Sequence, residues 1–170
     1  MIVTGAAGLL GNNLLRLAAA RGIAATAMVR GAGSRRALEG LAGPVVAADL
    51  AEAPLEKLVE NAAVVVHCAA RVAAGRMDAE LFHRDNVVAT ARLAAACRAA
   101  GARLVHVSTV DTLVWGTRER PGDETPAGPH VRDTAYAASK RLAEAAVEAE
   151  VARGLDAVIL HPGFLIGPWD

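Results

Sequence analysis

The sequence predicts an α/β fold: a doubly wound parallel sheet between two helical layers, strand order 3-2-1-4-5-6. Three observations carry that expectation. Short strand-like runs alternate strictly with helical patterns along the chain. Those runs are almost continuous in apolar residues, as they are when both faces of a parallel sheet are covered. Glycine stands just beyond each long helical pattern, at Gly22, Gly101 and Gly154, where helices commonly stop.

The first strand is Ile2–Thr4, and a glycine turn leads from it into a helix over Leu9–Arg21. A second strand, Ile23–Arg30, precedes a short helix at Ser34–Leu41, and a third, Val45–Leu50, precedes Leu55–Asn61. The fourth strand, Val64–Ala70, feeds the long helical pattern Asp78–Ala100. After the fifth strand, Leu104–Thr109, comes Val110–Asp133, an irregular stretch containing RERPGDETPAGPH. A loop of that length in one domain is read as a lid or a wall of a site. The helix Thr134–Arg153 and the strand Ala157–His161 complete the pattern.

Composition narrows the function classes. At 170 residues, 54% hydrophobic and 21% charged, the chain reads as one domain with a sizeable core. Eighteen basic residues balance eighteen acidic ones, which argues against nucleic acid or an anionic membrane as partner. Cys68 and Cys97 form no disulfide framework, so a reducing compartment is expected. No apolar run approaches the roughly 20 residues of a membrane span, and no signal peptide is read at the start. A cytoplasmic location is the expectation.

GAAGLLG, with Gly5, Gly8 and Gly11, lies between the first strand and the first helix. In that setting one glycine permits the tight turn, one lets backbone approach a pyrophosphate, and one lets helix and strand pack closely. The helix N-terminus then supplies N–H groups and the positive end of its dipole. The alternative is a plain tight turn in a chain rich in glycine. At the end of the second strand stands Arg30, followed by GAGSRR. An acidic residue there suits the ribose 2′-hydroxyl of NAD, whereas Arg30, Ser34 and Arg35 suit the 2′-phosphate of NADP. NADP is therefore expected, with NAD as the alternative, and a solvated basic loop as the bland reading.

The single tyrosine, Tyr136, stands four residues before Lys140, one of two lysines, in YAASK near a helix start. That spacing puts both on one helical face. A phenol titrates near pH ~10, and a nearby ammonium favours the phenolate by ~1–4 kcal/mol, roughly one to three pKa units. The pairing is thus expected to lower the Tyr136 pKa toward a value useful for proton exchange with a carbonyl or alcohol.

With these residues in place, the chain resembles the extended branch of the short-chain dehydrogenase/reductase superfamily. That branch includes dihydroflavonol 4-reductases, 3β-hydroxysteroid dehydrogenases and nucleotide-sugar epimerases. The resemblance runs through TGAAGLLG, Asp49-Leu50, HCAA at 67–70, NVVATARLAAAC from Asn86, VHVST at 105–109, YAASK and HPGFLIGP at 161–168. It implies a Rossmann fold and an NAD(P)-binding domain over residues 1–170. It implies that Gly5, Ala7, Gly8, Leu9, Leu10 and Gly11 line the pyrophosphate. Asp49 and Leu50 would sit against the adenine, Ala69 and Ala70 against the adjoining ribose, and Pro162, Gly163, Phe164 and Leu165 beside the nicotinamide. Thr109 would hold the substrate oxygen, Tyr136 would be the acid/base, and Lys140 would bind the nicotinamide ribose.

Three departures from the family pattern stand out. Trp115-Gly116 replaces a tyrosine-glycine pair, His161 stands where many members carry arginine, and the chain lacks the hundred or more residues that usually build the substrate pocket. The expected function is hydride transfer to or from a small-molecule carbonyl or alcohol. A nucleotide-sugar epimerase or dehydratase with bound NAD, and a non-catalytic dinucleotide-binding module, are the alternatives. Apolar residues around Phe164, Leu165, Ile166 and Trp169 lead us to expect self-association, as a homodimer or beyond. A hydrolytic triad of His106, Ser108 and Asp111 is not expected without a GxSxG elbow. Nor is a metal at His67 and Cys68, which lack further ligands at metal spacing.

Overall fold

Six parallel strands form one sheet in the order β3-β2-β1-β4-β5-β6 in the computed structural model, which describes residues 1–31, 36–72, 79–126 and 134–169. The strands are β1 (Ile2–Thr4), β2 (Thr26–Val29), β3 (Val45–Ala47), β4 (Val64–His67), β5 (Arg103–Val107) and β6 (Ala157–Leu160). The helices are α1 (Leu9–Ala20), α2 (Leu55–Val59), α3 (Ala79–Phe82), α4 (Ala89–Ala100) and α5 (Ala135–Val151). The order reverses between β1 and β4, and open α/β sheets bind ligands in the crevice at such a point.

Alternation along the strands divides the core in two. Ile2, Met28, Val65 and Leu104 point to one face, against Leu55, Leu93, Cys97 and Val147 of α2, α4 and α5. Val3, Ala27 and Val29 point to the other, against Leu15 of α1 and Leu38. At β6 the cover is thinner. Ala157 and Ile159 pack on the first cluster, while Val158 and Leu160 are exposed.

Three segments differ from the sequence reading. The helix expected at Ser34–Leu41 is, among the described residues, a single 3-10 turn at 36–38, and Gly40 at φ +79° turns the chain away. A run of that length closes too few hydrogen bonds to offset helix nucleation. Asp78–Ala100 is not one uniform α-helix: α3 passes through a π-helical turn, His83–Val88, into α4. Such turns frequently mark functional sites, and this one buries Asp85 and Asn86. The stretch after Thr109 is partly ordered. A 3-10 turn at Val110–Thr112 leads into an antiparallel bridge between Leu113 and Pro126, supported by Val114 N–H on Thr125 C=O at 2.8 Å.

Candidate functional site

The glycine turn is built to let backbone come close to something. Gly5 has φ +64°, and a Cβ there would lie 2.6 Å from the Ala69 nitrogen. A Cβ at Gly11 would lie 2.5 Å from the Gly5 carbonyl oxygen, so this glycine lets α1 seat on the turn. Gly8 is the N-cap of α1, with no side-chain cap and no acidic residue in the first turn. The first N–H groups of the helix and the positive end of its dipole are left for an anion.

Two adjoining cavities run across the carboxyl ends of the strands and share Gly5, Gly8, Cys68 and Ala70. The first, about 220 Å³, takes in Ala7, Arg30, Asp49, Leu50, Ala69 and Ala70. The second, about 660 Å³, takes in Leu9, Leu10, Gly11, Thr109, Tyr136, Lys140 and the segment Pro162, Gly163, Phe164, Leu165. The sequence-predicted residues therefore meet in one groove. Ser34 and Arg35 lie outside the described residues.

At the first end, charges interlock. Asp85, its side chain only 2% exposed, pairs with Arg30 at 3.0 Å, Arg71 at 2.5 Å and Arg84 at 2.8 Å. Arg84 also reaches Asp49 at 2.8 Å and Glu52 at 2.6 Å. That guanidinium holds the Asp49 carboxyl below its usual range, and the Ala51 N–H on its other oxygen adds to the effect. Asp85 and Arg84 escaped the sequence reading because a charged pair on a helix reads as a solvated face. The π-helical turn that brings them inward has no sequence signature. Asn86, beside them, accepts from the Arg71 N–H at 2.6 Å and donates to Ser139 Oγ at 2.9 Å, which ties this turn to α5.

At the second end, Thr134 caps α5 by accepting from Ala137 N–H at 3.1 Å, and this starts the helix at Ala135, one residue before Tyr136. Lys140 is buried, and its Nζ donates to the Val107 carbonyl at 2.6 Å. Burial pulls its pKa down to about 8 despite the opposing charge of Glu144. Thr109 Oγ1 accepts from the Asp111 N–H at 3.2 Å. The expected lowering of Tyr136 is corrected here: burial and then the Asp111 carboxylate push its phenol above the ordinary value.

The remaining candidates resolve differently. Ser108 Oγ donates to Glu144, and His161 Nε2 lies 3.3 Å from the same carboxylate. His67 holds the hydroxyls of Thr4 and Thr90 at 2.7 and 2.9 Å, and burial brings its pKa down to about 3. His106 lies 5.3 Å from it, centroid to centroid, with neither ring nitrogen partnered. Glu144 was missed, although its place four residues after Lys140 was readable.

Comparison with known proteins agrees with this geometry. Residues 1–170 match the NAD dependent epimerase/dehydratase family. The 4-hydroxy-2-methyl-3-oxo-4-farnesyl-3,4-dihydroquinoline-1-oxide ketoreductase of Stigmatella aurantiaca is 36% identical over 170 residues, 99% of this chain and 51% of that protein. Sterol demethylase protein B of Methylococcus capsulatus is 33% identical over 171 residues, 99% of this chain and 52% of that protein. Among solved structures, gox2253 superimposes with a TM-score of 0.85 at 28% identity, over 95% of this chain and 50% of its own. The chain spans about half the length of the relatives it matches. It belongs to the NAD dependent epimerase/dehydratase family.

Proposed function

We propose that the groove binds an NAD(P) dinucleotide, NADP in preference to NAD, and that the protein reduces a ketone or oxidises the matching alcohol on an apolar small molecule. The observation that carries this reading is convergence: the capless start of α1, the end of β5 and one face of α5 open on the same groove. The start of α1 is open to a pyrophosphate, since Gly8 at its N-cap puts no side chain there.

When bound, the nicotinamide supplies the hydride chemistry. The chain's own residues orient the reactants and move the proton. Thr109 Oγ1 already accepts from Asp111, so its hydrogen is left to donate to a substrate oxygen. Tyr136, held above its ordinary pKa, keeps its phenolic proton near neutrality and donates it to the same oxygen. Lys140 spends one of its three N–H donors on Val107 and keeps two for ribose hydroxyls. Arg30 stands at the first end, where a 2′-phosphate would draw it from Asp85.

Apolar walls favour an apolar substrate. Val72, Trp115, Phe164 and Leu165 line part of the second cavity, beside its polar residues. The named substrates of the two relatives, a sterol and a farnesylated quinoline, have the same character. A second reading, epimerisation or dehydration of a nucleotide sugar with retained NAD, rests on the family's own description. Dinucleotide carried through purification would favour it.

Turnover of apolar ketones with NADPH, compared between wild type and Tyr136→Phe, tests the main reading. The variant should lose ~10²–10⁴-fold in turnover with dinucleotide affinity nearly unchanged. Thr109→Val should lower turnover in the same way. Wild-type rates in Tyr136→Phe would refute the assignment.

A further inference from the structure

Tyr136, Lys140 and Glu144 follow one another at four-residue steps along α5, so they form a single stripe on the helix. The first two open on the groove; the third has no part in the reaction as described. Glu144 is nonetheless where three site segments meet. It belongs to the helix that carries Tyr136 and Lys140. Its carboxylate accepts from Ser108 Oγ, the residue before Thr109. The same carboxylate lies 3.3 Å from Nε2 of His161, the residue before Pro162. Both side chains of this last pair are mostly buried, at 15% and 18% exposed, so the contact is not a loose surface pairing.

We propose that Glu144 is a positioning residue: one carboxylate fastens the ends of β5 and β6 to α5 and sets its charge one helical turn from Lys140. This rests on the dinucleotide reading given above, because Lys140 matters through the ribose it holds there.

The surroundings of Lys140 explain why a single carboxylate counts. From α5 it is faced by Glu144, from the end of β4 by His67 and Cys68 and from β5 by His106, and Tyr136 lines the same groove. Burial pushes the Cys68 thiol up to about 11 and both strand histidines far down, so these three groups are neutral near pH 7. Tyr136 is held above its ordinary value and is neutral as well. Glu144 is left to supply the negative charge that opposes desolvation of the ammonium. Ser108 and His161 fix where that charge sits.

The test uses the fact that the chain has two lysines, Lys57 and Lys140. Nitrogen-15 NMR of the lysine side chains resolves both and follows the Lys140 midpoint directly, with no ligand present. Glu144→Gln keeps the shape of the side chain and its acceptor for Ser108 but removes the charge. Its Lys140 midpoint should fall by about one pH unit, a tenfold loss of proton affinity. Glu144→Asp, which keeps the charge, should restore most of the shift. Parallel titrations with NADPH should show affinity failing at a correspondingly lower pH in Glu144→Gln. A Lys140 midpoint unchanged in Glu144→Gln, with dinucleotide binding intact, overturns this inference alone. Failure of the wild type to bind NADPH at all overturns the reading beneath it and leaves the positioning role without a reaction to serve. If Glu144→Gln does not fold, the midpoint in His161→Gln decides: loss of the anchor should move it downward, and no movement refutes the role.

Discussion

Arg30, at the end of β2, is paired at 3.0 Å with the buried carboxylate of Asp85, which also holds Arg71 and Arg84. The residue expected to greet a 2′-phosphate is therefore positioned in advance, and also partly neutralised. A phosphate there must compete with Asp85, which limits the selectivity it can confer. NADPH should bind about tenfold more tightly than NADH, near the lower end of a charge-assisted hydrogen bond. Arg30→Asp should abolish or reverse that ratio. Titration of each dinucleotide by its own fluorescence measures it, and an unchanged ratio would remove Arg30 from the site.

Lys140 gives a pH dependence. Its folded pKa, about 8, lies below the ordinary lysine value because the ammonium is buried. Dinucleotide affinity that depends on the ammonium should weaken as pH rises through about 8. Lys140→Met should weaken binding ~10–100-fold at neutral pH and flatten the profile. The same linkage acts on stability with the opposite sense. The unfolded lysine keeps its proton up to about 10.5, so the cost of the buried charge is relieved between about pH 8 and that value. A wild-type affinity that stays level from neutrality to well above pH 8 would contradict this.

Two buried histidines predict acid sensitivity. Their folded pKa values lie below the ordinary 6.5, so the unfolded chain takes up protons that the folded one refuses. Stability should fall as pH drops below about 6.5, by about 2 kcal/mol per histidine at pH 5. His106→Leu removes a ring whose nitrogens have no partners, so it should cost little at pH ~7.5 and cut the acid loss roughly in half. Urea unfolding at the two pH values measures both effects. An acid slope equal to that of wild type would show that His106 does not titrate on unfolding.

Apolar surface predicts association. Phe164 and Ile166 are 95% and 79% exposed, and Val158, Leu160 and Trp169 are exposed as well. Apolar patches beyond a few hundred Å² mark contact surfaces. Light scattering should show a mass that rises with concentration, and Ile166→Ser with Leu160→Thr should reduce it. A monodisperse monomer at high concentration would count against it.

Every strand was legible in the sequence, because apolar runs alternate with helical patterns closed by glycine, and the sheet order follows the doubly wound pattern that this alternation implies. The tight glycine turn was legible too, since Gly5 and Gly11 stand where a side chain cannot. The electrostatics were less so. Spacing placed Tyr136 and Lys140 on one face, but which acceptor the ammonium reaches depends on Val107, thirty-three residues away in sequence. The π-helical turn that aims Asp85 inward, and the meeting of Ser108, Glu144 and His161, are likewise tertiary facts. Of the Ser34–Leu41 helix the described residues form only a 3-10 turn, for a local reason: the run is too short to offset nucleation and Gly40 turns the chain.

The central claim is that the start of α1 holds a dinucleotide pyrophosphate, and Gly8→Asp tests it most directly. Gly8 is the N-cap, its backbone is extended at φ −84° and ψ 167°, and a Cβ there would meet nothing closer than 3.4 Å. Aspartate is a favoured N-cap and suits the helix dipole, so the fold should be as stable as wild type or more so. Its carboxylate would take the N–H groups that the pyrophosphate needs and repel its charge. In a fluorescence titration with NADPH, the wild type should bind one equivalent saturably and Gly8→Asp should show no measurable binding while melting no lower. A wild type that does not bind, or a Gly8→Asp variant that binds equally well, would contradict the account.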